Sequence, residues 1–332
     1  MSNYTIYAPN FDSPFKYDEP LGQGAHGEVF RIKKFKNKGQ QHEYFALKRA
    51  QNKHGHFQRE VAILKALAEV PHHHIMYCLS DWIGEDMSSN MLFPLAHGNL
   101  DKLLTQTKPN SSADATAWLV KQMFGVCDAI RYLHHHTLSG KNKEGMKRIG
   151  FHHNLKPSNI LLFESNEPNS AVWKLGDFGS GAIKDLDLNS TEKLYQNWEA
   201  SEICLEYNAP EFITHGKASQ PNDIWSLACI FLEVLVWALI PEGDVTYFRK
   251  ERERSCEGHA VQGPMFWCLD GQRRAFLNRA VLNEWRNLQY CTMDRKVYGS
   301  ILAMIADIMS ETSPDTRPNA SNLCERFSAL QY

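Results

Sequence analysis

The stretch IWSLACIFLEVLVWALI at 224–240 constrains the fold of this chain more than any other. Apolar residues occupy nearly every face of a helix built from it, so such a helix has little to present to water and must be surrounded. It falls slightly short of a bilayer span and carries Glu233, so a buried core helix is expected in preference to a membrane segment. Surrounding a helix takes many other elements. The chain can supply them, with 332 residues, 43% of them hydrophobic, including 17 Phe, 12 Tyr and 8 Trp. At roughly 100–200 residues per domain, this allows one large domain or two packed lobes.

Composition narrows the function classes. The net charge of −2 gives no bulk attraction to nucleic acid or anionic lipid. The 8 cysteines are scattered and none form a CxxC pair, which argues against a zinc site or a redox dithiol and for reduced, mostly buried thiols. The N-terminus, MSNYTIYAPNFDSP, lacks a basic segment followed by an apolar one. No cleaved signal peptide is therefore expected, and the expected location is cytoplasmic or nuclear.

The periodicity changes along the chain. Residues 1–20 read as irregular, with Pro9, Pro14 and Pro20; strand patterns follow at 28–34 and 43–50. Residues 56–70 show helical spacing, with Val61, Leu64, Leu67 and Ala68 apolar. Strands are expected at 75–83 and 90–95, a long helix at 114–136, and short strands at 149–151, 160–163 and 172–175. From about 210 the pattern is mostly helical, apart from a polar excursion at 242–264. The polar stretch 139–148 reads as an exposed loop.

Several motifs carry chemistry. LGQGAHGEVF places Gly22, Gly24 and Gly27 before a strand pattern, so they form the turn of a β-hairpin and not the strand-to-helix turn of a dinucleotide fold. Glycines there let the backbone lie close over phosphates. Lys48 lies on the next strand and Glu60 on the following helix, where the two can pair and present a fixed positive charge. Asn159 and Asp177 offer the oxygen ligands that Mg²⁺ prefers. Lys156 can neutralise a transferring phosphoryl group.

The order and spacing of these motifs resemble the eukaryotic protein kinase family across nearly the whole chain. HHNLKPSN (152–159), DFG (177–179), NAPE (208–211), DIWSL (223–227) and DTRP (315–318) stand in the family's order behind the glycines, Lys48 and Glu60. The resemblance implies an α+β, bilobal kinase fold: an extension at 1–14, a small β-rich N-lobe at 15–95 and a larger helical C-lobe at 96–332. It implies ATP and Mg²⁺ as cofactors and a protein substrate or partner. Gly22, Gly24 and Gly27 would cover the phosphates, and Lys48, paired to Glu60, would hold two of them. Val29, Ala46 and Leu161 would sandwich the adenine. Leu92 matches the gatekeeper position, with Phe93 C=O and Leu95 N–H as the hinge groups. Asn159 and Asp177 would bind Mg²⁺, Glu211 and Arg317 would form a structural ion pair, and Asp223 would anchor the catalytic loop.

The departures matter as much. The family's HRD triplet reads His152–His153–Asn154, so an amide replaces the catalytic aspartate. An amide can orient a hydroxyl but cannot accept its proton, a contribution of about 10²–10⁴-fold, or about 3–5 kcal/mol of barrier. His153 replaces the arginine that clasps a phosphorylated activation loop, whose candidate sites here are Ser190, Thr191, Tyr195 and Ser201. Cys204 replaces a threonine, weakening the link between the catalytic loop and the substrate-docking segment. Lys156 belongs to the Ser/Thr branch. The chain thus reads as a Mg–ATP-binding kinase-fold switch or scaffold with severely impaired transfer. The alternatives are a genuine Ser/Thr kinase carrying an engineered Asp-to-Asn change, and a small-molecule phosphotransferase, against which NAPE and Arg317 argue. The histidine runs at 72–74, 134–136 and 152–153 point their side chains in different directions, which argues against a metal site.

Overall fold

A computed structural model describes residues 15–24, 27–34, 42–51, 55–84, 86–107, 112–138, 144–164, 171–194, 196–197, 205–240, 244–259, 261–292, 296–310 and 313–330. The period-two segments of the first third form one antiparallel sheet. Its strands are β1 (Phe15–Gly24), β2 (Gly27–Lys34), β3 (Glu43–Gln51), β4 (Ser80–Ile83) and β5 (Ser88–Pro94), in the order β1-β2-β3-β5-β4. One small core lies on this sheet, where Ile32, Leu47 and Leu92 are buried beneath Phe15, Phe30, Phe45 and Trp82.

Two differences from the sequence reading have physical causes. Strand β1 begins at Phe15, inside the stretch expected to be irregular. Its register shifts between Tyr17 and Glu19 and again between Pro20 and Gly22, so Pro20 sits beside a bulge. Bulges break the period-two pattern and tolerate proline, which hides the strand from a periodicity search. Of residues 75–83, only 80–83 form a sheet strand, and Ile75 makes an isolated parallel bridge to Leu175.

Helix α1 (His56–Ala68) packs across the sheet. Its buried residues Phe57, Glu60, Ile63, Leu64 and Leu67 follow helical spacing, so Glu60 lies on the apolar stripe and faces inward.

Beyond Pro94 the chain is mainly helical. Helices α2 (Leu100–Gln106) and α3 (Ala113–His134) lead to three short strands: β6 (Met146–Phe151), β7 (Ile160–Glu164) and β8 (Ala171–Leu175). Strand β8 pairs with β7, and β9 (Ala182–Asp187) pairs with β6. Helix α4 (Pro210–His215) precedes α5 (Gln220–Leu239). Helix α5 is the expected core helix: it is long and apolar enough to cross a membrane, but 94% of its most apolar window is buried inside the protein. Helices α6 (Val245–Ser255), α7 (Arg279–Cys291), α8 (Lys296–Ser310) and α9 (Ala320–Ser328) complete this part, with a small hairpin of β10 (Trp267–Leu269) and β11 (Ala275–Leu277).

The segment read as a polar excursion contains helix α6, and the arginines of that helix account for Glu233. Arg249 donates to Glu233 at 2.7 and 3.0 Å, Arg252 at 2.9 Å, and the Tyr207 hydroxyl at 3.0 Å. Arg252 also pairs with Glu206 at 2.7 Å and stacks on the rings of Phe248 and Phe266. Burial works against the Glu233 carboxylate, but the two arginines hold its pKa below the ordinary value. A buried carboxylate with three donors is satisfied, which is why an apolar helix can carry it. Of the expected exposed loop, residues 144–145 form an exposed turn, but 146–148 belong to β6. Arg148 is buried, binds Asp185 at 2.6 and 2.9 Å and Glu69 at 3.1 Å, and so ties β9 to the end of α1.

Candidate functional site

A cleft of about 620 Å³ opens between the five-stranded sheet and the helical part. Gly22, Gly27, Val29, Ala46 and Lys48 line it from the sheet, and Phe93 and Leu95 from the connection after β5. Glu60, Asn154, Lys156, Asn159, Leu161 and Asp177 complete the lining. Gly24 lies at the hairpin tip, opposite Gly27; Ala25 and His26 lie outside the described residues. Gly27 is the glycine the hairpin demands. Its φ is 130°, and a Cβ there would stand 2.4 Å from the Arg49 carbonyl oxygen. Gly22 has no neighbour within 4 Å of a Cβ position, so packing alone does not require a glycine there.

Lys48 is the electrostatic centre. Its Nζ stands 2.7 Å from Glu60 Oε2 and 2.6 Å from Asp177 Oδ1. Burial alone would lower its pKa, but the carboxylates of Asp177 and Glu60 raise it above the ordinary value, so it stays charged. One cation thus serves two anions. Burial, and the charge of Asp177, push Glu60 upward against the pull of Lys48.

Further donors approach the second oxygen of Asp177. Asn154 Nδ2 lies 3.3 Å from Oδ2, and Asn159 Nδ2 lies 3.4 Å from it. Asp177 itself has φ 62°, in the left-handed region, which short polar side chains tolerate better than others do. Asn159 Nδ2 also donates to the Asn154 carbonyl at 2.8 Å, which engages its amide nitrogen and leaves its Oδ1 as the atom able to ligate a cation. Together with the Asp177 carboxylate, this makes a hard-oxygen donor set that fits Mg²⁺.

The loop carrying Asn154 is held from behind. Asp223, in the first turn of α5, is fully buried and accepts from the amides of His152 and His153 at 2.7 Å each and from His134 Nε2 at 2.9 Å. Burial would raise this carboxyl, and those bonds, His134 first, hold its pKa below the ordinary value. His152 donates from Nε2 to the Gly176 carbonyl and accepts at Nδ1 from the Asn154 amide, which fixes a neutral tautomer.

A profile of the protein kinase domain matches residues 15–325. The chain belongs to the eukaryotic protein kinase family. Relatives include the L-type lectin-domain containing receptor kinase IX.1 of Arabidopsis thaliana, 30% identical over 67% of this chain and 30% of the relative. The "Probable serine/threonine-protein kinase MRK1 homolog" of Encephalitozoon cuniculi is 27% identical over 70% of this chain and 63% of the relative. Cyclin-dependent kinase E-1 of Arabidopsis thaliana is 26% identical over 70% of this chain and 47% of the relative. The chain spans about 30% of the length of the receptor kinases and about 40–63% of the other relatives compared.

Besides Asn154, two further positions depart from the family's pattern, His153 and Cys204. His153, at the position of the family's arginine, is buried, with Phe212 4.8 Å and Phe151 6.2 Å away between ring centroids. Burial lowers its pKa to about 4, so at neutral pH it carries no charge to offer a phosphate. Cys204 lies outside the described residues. Asn222 ties the loop carrying His153 to residues 208–209. Asn222 Nδ2 lies 3.3 Å from His153 Nδ1 and donates to Asn208 Oδ1 at 2.8 Å, while Asn222 Oδ1 accepts from the Ala209 amide at 2.9 Å. Sequence reasoning missed Asn222, although its place beside Asp223 was a usable signal. The Glu211–Arg317 pair is present, at 2.6 and 3.1 Å.

Proposed function

We propose that this kinase-fold chain binds Mg–ATP in the cleft, transfers phosphoryl groups to protein Ser/Thr very poorly, and works as a switch or scaffold. The observation that carries the reading is the Asn154 amide, 3.3 Å from Asp177 beside an intact Lys48–Glu60 pair. Gly22, Gly24 and Gly27 would cover the phosphates, Val29, Ala46 and Leu161 would hold the base, and Phe93 C=O and Leu95 N–H would bond its edge. Lys48 would bind the α- and β-phosphates, and Lys156 would neutralise the transferring group. Asn159 Oδ1 and Asp177 would hold Mg²⁺, which supplies charge neutralisation when bound. Asn154 can orient an acceptor hydroxyl through its carbonyl oxygen, but no group at this position takes the proton. Phosphoryl transfer depends mainly on positioning and charge, so the loss should be severe without being total. Ser/Thr preference is supported by Lys156 and by the serine/threonine kinase among the relatives.

The test is thermal stability titrated with ATP, with and without Mg²⁺. The parent chain should be stabilised by Mg–ATP, and Lys48→Met and Asp177→Ala should each weaken the effect. No stabilisation of the parent by any nucleotide would refute binding.

A further inference from the structure

Cys256 caps the C-terminus of helix α6, and the hairpin strand β10 carries Cys268. Their sulfur atoms stand 2.7 Å apart, and both side chains are buried. The two thiols are free and in hydrogen-bond contact, and a small side-chain adjustment brings them to the disulfide separation of about 2.05 Å. The two cysteines lie twelve positions apart in sequence, so no CxxC-type pattern announces them. Asn278, the N-cap of α7, donates to Cys256 Sγ at 3.2 Å and to the carbonyls of Arg252 and Met265 at 2.8 and 2.9 Å. That amide holds α6 and the approach to β10 together and keeps the two sulfurs facing.

We propose that Cys256 and Cys268 form a peroxide-sensitive dithiol site, closing reversibly to a disulfide that locks α6 onto the β10–β11 hairpin. This rests on the geometry of the pair and is independent of nucleotide binding or transfer.

The chemistry balances with a peroxide as oxidant. The Cys256 thiolate attacks one oxygen of hydrogen peroxide, the O–O bond breaks, and Cys256 becomes a sulfenic acid as the departing hydroxide takes up a proton to form water. The Cys268 sulfur then attacks the sulfenic sulfur, loses its proton and displaces a second water. Two thiols and one peroxide give one disulfide and two waters, and a dithiol reductant reverses the bond by exchange. Cys256 is the fitting first nucleophile. Its hydrogen bond from Cys268, aided by the one from Asn278, lowers its pKa, while its partner's is raised. Strand β10 is buried in the main core, with Trp267, Cys268 and Leu269 at most 2% exposed, so peroxide reaches the pair only when the short β10–β11 hairpin lifts from it. Arg252, one turn before Cys256, bridges Glu233 to Glu206, which immediately precedes Tyr207.

The experiment uses the full reduced chain, treated with hydrogen peroxide, alkylated and digested without reduction. Mass spectrometry should find the Cys256 and Cys268 peptides joined, with the loss of two hydrogens. The melting temperature should rise by about 5 °C, a shift that dithiothreitol abolishes. Cys256→Ala and Cys268→Ala should each lose both the cross-link and the shift. Should either variant fold poorly, mapping on the parent chain decides alone. Cys127 and Cys324, buried at 3.6 Å, give an internal comparison. Recovery of Cys256 and Cys268 as separately alkylated thiols after peroxide has joined Cys127 to Cys324 would overturn the proposal. So would Cys256 carried to sulfinic acid with Cys268 still free.

Discussion

Asn154→Asp should destabilise the chain before it does anything for catalysis. In the structure the Asn154 amide lies 3.3 Å from Asp177 Oδ2. The substitution removes a donor to a charged acceptor, worth about 1.5–3 kcal/mol. It also sets a second carboxylate where that donor stood. Two unit charges at this separation repel by about 5 kcal/mol at an effective dielectric constant of 20 and by about 1 kcal/mol in bulk water. Lys48 already serves Glu60 and Asp177 and cannot fully neutralise a third anion. A net loss of about 2–4 kcal/mol is therefore expected near pH 8 without divalent cation. The sign with pH follows. Like-charge contact raises the pKa of the carboxylate pair, so the variant takes up a proton as pH falls and regains a donor at the same place. The stability gap should narrow on going from pH 8 to pH 5.5. Mg²⁺ should narrow it too, because the new anion strengthens the cation site. The assay is urea denaturation of parent and variant at both pH values, with and without Mg²⁺. A variant as stable as the parent at pH 8 without cation, and equally responsive to Mg²⁺, would refute the reasoning.

Two other outcomes follow from the buried charges. Burial lowers the pKa of His153 to about 4, below the unfolded value of about 6.5, so the unfolded chain binds the proton first and stability falls as pH drops through that window. This histidine should contribute about 1.4 kcal/mol per pH unit there, and His153→Gln should flatten the pH dependence of the urea midpoint; an unchanged slope would contradict it. Arg252→Met keeps the packing against Phe248 and Phe266 but removes the bridge between Glu206 and Glu233. It should cost about 3–5 kcal/mol in chemical denaturation, and a near-parental midpoint would show that Arg249 suffices for Glu233.

The site was legible in the sequence where its chemistry is written in local spacing. Lys48 and Glu60 meet because one sits mid-strand and the other on the apolar stripe of the next helix. The anchoring role of Asp223 was legible only through the resemblance, and the structure shows the loop amides that it accepts from. What stayed hidden depends on contacts far apart in sequence or on elements that break their own period. Bulges concealed the start of β1, and the arginines of α6 read as solvated charges because nothing local shows that Glu233 and Glu206 receive them. Asn222 and the cysteine pairs gain meaning only when folding brings segments together, 197 residues apart in the case of Cys127 and Cys324.

The central claim is that the site lacks a proton acceptor and little else. Single-turnover phosphoryl transfer from Mg–ATP to a generic basic protein, comparing the parent chain with Asn154→Asp, tests it most directly. Asp177→Ala sets the background. The account predicts that Asn154→Asp raises the rate by about 10²-fold or more. A rate for Asn154→Asp indistinguishable from that of Asp177→Ala would contradict it.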